Sequence, residues 1–328
     1  MLTRNHGNFL RSACIIAMLA AFASVPVGHA QEKSQEQSQD DTQQEPGIFA
    51  LETEAGSPAF DTAAAAIDAF KSALASDDFA GLANLLGLDS DKLGKDDNAR
   101  NTFEQMREAA GQQLVVQELE DRQILQIGQK LWPMPFPLVK GDDGKWAFDT
   151  EAGLEEVINR RVGENELEAI ATMRAYVDAQ KEYASADHSG DGVLEYAQKL
   201  ISSEGKTDGL YWPPDQGDGE SPAGAFADQS ELQDASKGEG YFGYHFRILT
   251  GQGDRIAGGA YDYVINGHMI GGFGLLAWPA KYGETGVRTF AVNQQGIVYE
   301  VDLGDETDTI VKYIDRFNPD DSWDIVND

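Results

Sequence analysis

Twice along this chain apolar residues at helical steps of three or four give way to short strand-like runs, and that order constrains the fold most. Ala65, Ile67, Ala69, Phe70 and Leu74 fit a helix that Asp61 can cap. A short helix is predicted over 79–86, after Asp77 and Asp78, and a more polar one over 98–110. Branched residues then favour strands at 114–119 and 123–127, and segments 136–140 and 145–148 flank the turn Gly141-Asp142-Asp143-Gly144. In the second half, Leu167, Ile170, Met173, Val177 and Tyr183 mark an amphipathic helix. Glu164 and Glu166 load its first turn, and Gln180 is the polar exception in its stripe. Strands return at 241–250, 260–265 and 272–278. The clearest hairpin joins 285–292 to 297–302 around Asn293-Gln294-Gln295-Gly296. Alternation of Phe290, Val292 and Val298 predicts a sheet with one buried face, and 307–317 reads as a last helix. The stretch 205–240, rich in Gly, Pro, Asp, Glu and Ser, reads as a long irregular loop around the apolar knot 210–214.

This order predicts an α+β chain with two domains, 57–162 and 163–328. The first places helices on a curved antiparallel sheet, similar to nuclear transport factor 2-like domains. The second lays a long helix on an antiparallel sheet.

The N-terminus points to export. Arg4 and Arg11 give a positive start, 13–24 is an apolar run, and Gly28 and Ala30 stand at small-residue cleavage positions. The reading is a signal peptide over 1–30 and a periplasmic or secreted mature chain starting at Gln31. The apolar run is shorter than the roughly 20 residues a membrane helix needs, so no stable span is expected after cleavage. Cleavage removes Cys14, the only cysteine, and leaves a fold that rests on its core without disulfides. A tether is expected over 31–56, since 31–46 offers nothing apolar before Pro46. The chain carries 25 basic and 56 acidic residues, a formal charge of −31. That balance argues against nucleic acid and anionic membrane as partners.

Residues 187–195 read Asp-His-Ser-Gly-Asp-Gly-Val-Leu-Glu. Asp187, Ser189 and Asp191 supply oxygens at alternate positions, Gly192 permits a sharp turn, and the Val193 carbonyl and Glu195 complete a candidate calcium set. Hard oxygens suit calcium over zinc. A full helix-loop-helix calcium site has a bidentate Glu at its twelfth position; here that residue is Gln198 and Glu195 is ninth. Affinity is therefore expected to be modest, on the order of 10⁻⁴ to 10⁻³ M. Acidic glycine turns also occur without an ion, because these residues accept left-handed backbone.

Other motifs are weaker. Gly238-Glu239-Gly240-Tyr241-Phe242-Gly243 has dinucleotide-loop spacing, but it follows a polar loop and enters a strand instead of opening a helix. Beyond the signal, histidine occurs only at His188, His245 and His268. His245 alternates with aromatic residues on a strand, and His268 follows an Asn-Gly turn. Convergence of His245, Arg247, Asp262 and His268 would give a hydrolase an acid–base group, which spacing alone does not show.

The stretches 243–253, 266–273 and 282–290, with Trp132-Pro133-Met134-Pro135-Phe136-Pro137-Leu138-Val139-Lys140 and Asn159-Arg160-Arg161-Val162-Gly163-Glu164-Asn165-Glu166-Leu167, closely resemble bacterial exported proteins of the domain of unknown function 2950 family. The resemblance spans nearly the whole mature chain. It implies an exported bacterial protein of unassigned activity and brings no catalytic residues with it. The family pattern has Asp at the third loop position, where this chain has the neutral oxygen of Ser189. More distantly, the helix with Ala175-Tyr176-Val177-Asp178-Ala179-Gln180-Lys181-Glu182-Tyr183 and the sheet with Ala277-Trp278-Pro279 and the 290–296 turn are similar to globular parts of type IV pilins. The apolar polymerisation helix of pilins has no counterpart in the expected place.

Three function classes follow. The leading one is a non-enzymatic exported module that binds an envelope partner, with calcium as a structural clip. A hydrolase using His245 or His268 is second, and a pilin-like assembly subunit third.

Overall fold

A computed structural model describes residues 47–95, 97–216 and 219–327. The expected signal peptide and the part of the tether over 31–46 lie outside the described residues. The chain forms two compact units, one reaching Arg161 and the other starting at Val162.

In the first unit the chain enters through a 3₁₀ turn, Ile48–Leu51, whose Ile48 and Leu51 are buried in the core. The segment after Gly47 therefore packs, and the tether expected to reach 56 is shorter at that end. Helices α1 (Ala63–Ala75), α2 (Phe79–Leu85), α3 (Ser90–Leu93) and α4 (Asp97–Gln112) follow. The cap of α1 is Thr62, not Asp61: its hydroxyl accepts the Ala65 amide at 3.1 Å. Asp78 caps α2 through Gly81 N at 2.8 Å.

Strands β1 (Leu114–Glu118), β2 (Arg122–Ile127), β3 (Trp132–Pro133), β4 (Leu138–Lys140) and β5 (Trp146–Phe148) make one antiparallel sheet in the order β1-β2-β4-β5, with β3 paired to β2. Phe70, Leu125, Phe136, Leu138 and Phe148 join helices and sheet in one core.

Helix α5 spans Thr150–Tyr183 and corrects the expected start near Glu164. Asp149 caps it, with its carboxylate accepting Ala152 N at 3.1 Å. Leu154 and Val157 on α5 belong to the first core; Met173, Tyr176, Val177 and Tyr183 belong to the second. Gly153 does not break the helix because it is needed there: a Cβ would sit 2.0 Å from the Phe136 ring.

The second unit continues with α6 (Gln229–Lys237), β6 (Tyr244–Leu249), β7 (Gly251–Gln252), β8 (Tyr261–Asp262), β9 (Val264–Ile265), β10 (His268–Met269), β11 (Gly274–Pro279), β12 (Arg288–Asn293), β13 (Tyr299–Asp302), α7 (Thr307–Ile310) and β14 (Asp324–Ile325). The main sheet is antiparallel in the order β14-β13-β12-β11-β6, and β7-β8 and β9-β10 form two small ribbons. Leu275, Ala277, Phe290 and Val292 pack with α5 residues. On the other face Leu249, Leu276 and Ala291 pack with Val311 and Phe317. Both faces are thus covered, where alternation had predicted one.

The helix expected over 307–317 stops early, passing into a 3₁₀ turn at Val311–Tyr313. Helix α6 stands inside the expected loop. It buries none of its residues and is defined by its ends, an Asp228 cap and a left-handed Gly238. Among the described residues no helix is long and apolar enough to cross a membrane.

Candidate functional site

The acidic loop begins as α5 ends. Asp187 grips it from within: its Oδ1 accepts Gly190 N at 2.7 Å and Ser189 Oγ at 3.1 Å, and its Oδ2 accepts Gly192 N at 2.8 Å. These bonds, that from Gly192 foremost, hold the Asp187 carboxyl below the usual range. Gly190 and Gly192 take φ of +74° and +85°, which side chains with a Cβ rarely adopt. Asp191 accepts Val193 N at 2.9 Å. His188 stacks on Tyr183 at 4.0 Å and lies 5.8 Å from Trp212, fastening the loop to core aromatics.

The far end of the loop is tied to the β9–β10 hairpin. Tyr196 N donates to Met269 O at 2.8 Å, and Met269 N to Glu195 Oε2 at 3.2 Å. Gln198 Nε2 donates to Gly267 O at 2.8 Å, inside a tight turn whose Asn266 and Gly267 both have positive φ. His268 lies between two loop carboxylates, its Nδ1 3.3 Å from Glu195 Oε2 and its Nε2 3.6 Å from Asp191 Oδ2. Its side chain is 29% exposed and that of Glu195 only 16%.

Of the five expected calcium ligands, Asp187, Ser189 and Asp191 form the turn, while Glu195 is committed to the hairpin. Among the described residues no three His, Cys, Asp or Glu side chains are gathered as a metal centre.

The four acid–base candidates fall into three separate sets of contacts. His245 and Arg247 share one face of β6, and both meet Trp278, at 5.5 and 5.3 Å from its ring. Burial pushes the His245 imidazole below its ordinary value, with Asp308 opposing weakly. Arg247 donates to the Val311 carbonyl and, at 2.6 Å, to that of Ile314, closing the C-terminal 3₁₀ turn. Asp262 on β8 pairs with Arg316 at 2.6 Å. His268 belongs with the acidic loop.

Two further polar nodes lie beyond what spacing reveals. Gln180, fully buried on α5, accepts Ala197 N and donates to Ala197 O, both at 2.8 Å, and also donates to Tyr176 OH at 3.0 Å. It satisfies a buried backbone unit just past the loop, which explains the polar exception in the stripe. Midway along the helix, Asn165 donates to Thr285 O at 2.8 Å, and Glu166 accepts Val287 N and Arg288 N at 3.0 Å each. Glu166 thus acts inside α5, not in a first turn. Tyr244 OH donates to Arg288 O at 2.9 Å. Gly243 and Gly286 leave room for this packing: a Cβ would come within 2.5 Å of Asn165 and 2.2 Å of Tyr244 OH.

Three of the sequence stretches that suggested a family, around 165, 243 and 286, therefore meet in one structural node. No curated protein and no solved structure matches the chain. A family pattern does, over residues 57–326, and by that match the chain belongs to the family described as "Protein of unknown function (DUF2950)".

Proposed function

We propose that this chain is an exported, non-enzymatic envelope module that serves an extracytoplasmic partner and uses calcium to stiffen loop 187–195. The observation that carries the reading is the loop itself. Asp187 draws Gly190 and Gly192 inward, and the third and fifth positions bring further oxygens to the same turn. Asp187, Ser189, Asp191 and the Val193 carbonyl would hold the ion, with Glu195 shared with the hairpin. The export reading rests on the sequence of 1–30 and is checked by N-terminal sequencing of the secreted chain, expected to begin at Gln31.

Calcium is tested by calorimetry and thermal melts in millimolar calcium against chelator, on the wild type and Asp191→Ala. At ten times the dissociation constant, mass action gives about 1.4 kcal/mol, a shift of a few degrees. Equal melting temperatures in all conditions and no heat of binding would leave the loop an ordinary acidic turn.

A further inference from the structure

From the geometry of the C-terminal segment we infer that the second unit carries a saccharide-binding cleft, one that takes an uncharged pyranose ring of a glycan chain. The inference goes beyond the calcium reading and stands independently of it.

A cleft of about 270 Å³ opens where the chain turns back after the 3₁₀ turn Val311–Tyr313. Its walls include Tyr313, Asp315, Arg316, Asn318 and Trp323, with Gly253 below. Drug-sized pockets start at roughly 300 Å³, so the space suits one ring of a longer ligand that continues into solvent.

The cleft is built by particular residues. Gly253 N donates to Phe317 O at 3.0 Å and Phe317 N to Gly251 O at 2.9 Å, laying the turn along β7 and the residue after it. Both glycines are required by their neighbours. A Cβ on Gly251 would lie 2.6 Å from Arg316 Nη1, and one on Gly253 would lie 2.1 Å from Asn318 Cγ. Arg316 is pinned by Asp262 at 2.6 Å and bonds the Tyr261 carbonyl at 3.3 Å. Asn318 Oδ1 accepts Arg255 N at 3.1 Å, which leaves its Nδ2 amino group without a partner among the described residues.

The remaining groups define the ligand. Tyr313 is 82% exposed, ahead of Leu167 at 68% among the exposed large hydrophobic residues of the second unit. Its hydroxyl, the Trp323 indole N–H and the Asp315 carboxylate have no partner among the described residues. Aromatic faces offer apolar area, and beside them stand unpaired donors and an acceptor. A purely apolar ligand would desolvate those polar groups without replacing their hydrogen bonds. An anionic ligand would enter a chain of formal charge −31. A pyranose ring has what remains: an apolar C–H face for a ring and an equatorial edge of hydroxyls for the amide and the carboxylate.

The test titrates the full mature chain with three probes, the N-acetylglucosamine trimer, cellotriose and maltotriose, followed by tryptophan fluorescence and saturation-transfer NMR. The expected result is saturable binding of at least one, with a dissociation constant on the order of 1 mM or tighter. Tyr313→Ala should weaken that binding at least tenfold without moving the melting temperature, because so exposed a ring adds little to the core. Absence of saturable binding for all three probes would overturn the inference. So would binding that is undiminished in Tyr313→Ala, or capture of trilysine in place of every sugar, which would make the cleft a cation site.

Discussion

Replacing Gln180 by leucine isolates what fastens the segment after the acidic loop. In the wild type one buried amide serves both the N–H and the C=O of Ala197, itself only 1% exposed. Leucine keeps the approximate shape and removes both partners. Each buried backbone group left unpaired costs about 1–3 kcal/mol. Tyr176 OH still donates to Gly274 O at 3.1 Å, so it adds no orphan. Burying leucine in place of an amide offsets part of the loss, roughly 1–2 kcal/mol. At the midpoints, about 4 kcal/mol lost and about 1.5 regained, the net expectation is a loss of about 2.5 kcal/mol. Urea unfolding measures it, and amide exchange at Tyr196 and Ala197 shows where it falls.

Gln180→Glu separates hydrogen bonding from shape. A carboxylate can still accept Ala197 N, but it cannot donate to Ala197 O and it places a charge in a dry site. Burial raises its folded pKa, so the folded state binds a proton that the unfolded state releases. Its stability relative to wild type should therefore improve as pH falls from 7 toward 5 and worsen as pH rises. If Gln180→Leu lies within about 0.5 kcal/mol of wild type, the accounting of buried backbone groups is wrong.

Three other substitutions probe separate claims. Arg247→Met keeps an apolar stem on Trp278 but frees the Val311 and Ile314 carbonyls; a loss of about 2–3 kcal/mol and faster proteolysis of the C-terminal segment are expected, and an unchanged denaturation midpoint would show that Arg247 is no fastener. The Asp208 carboxyl is lowered to about 2 by the Lys199 ammonium first and the Ser203 amide next. A depressed carboxylate stabilises the fold above its ordinary value of 3.8 and loses that effect as pH falls toward about 2. Asp208→Asn should therefore cost up to about 1 kcal/mol at pH 6, after allowance for solvent screening, and nothing near pH 2, with thermal melts across that range as the check. Gly286→Ala drives a methyl against Tyr244 OH and should cost at least about 2 kcal/mol, whereas Gly163→Ala, inside α5 with open space, should gain about 0.5–1 kcal/mol; the same sign for both in denaturant melts would refute the packing argument.

The α+β order and the 288–302 hairpin were legible because period and turn chemistry agreed there. The start of α5 was not, since Glu164 and Glu166 resemble the acidic residues of a first turn; the helix is capped by Asp149 and runs on through Gly153 and Gly163. Helix α6 was invisible because its sequence has no apolar stripe, and only its two caps define it. Cover on the second face of the main sheet comes from Val311 and Phe317, which are far along the chain from the strands they protect. At the site, the alternating oxygens were read as an ion-binding loop, and the chain there bends around the Asp187 carboxylate. Nothing in that spacing could show that Glu195 and His268, 73 positions apart, would pair, or that Arg316 would claim Asp262.

Gln198 shows why the loop departs from a full calcium set. A glutamate there would add the missing carboxylate, yet a carboxylate has no N–H for the Gly267 carbonyl that Gln198 now serves. The same trade recurs at Glu195, whose oxygen faces Met269 N and His268. Two positions that a calcium sensor devotes to the ion are here devoted to a hairpin more than sixty residues away. Loop and hairpin are held together by protein groups alone, so the turn keeps its shape before any ion arrives. Calcium could then add a modest increment to a formed structure, but it could not be the agent that folds it. The proposal accordingly predicts small melting shifts and weak binding instead of a calcium-driven transition.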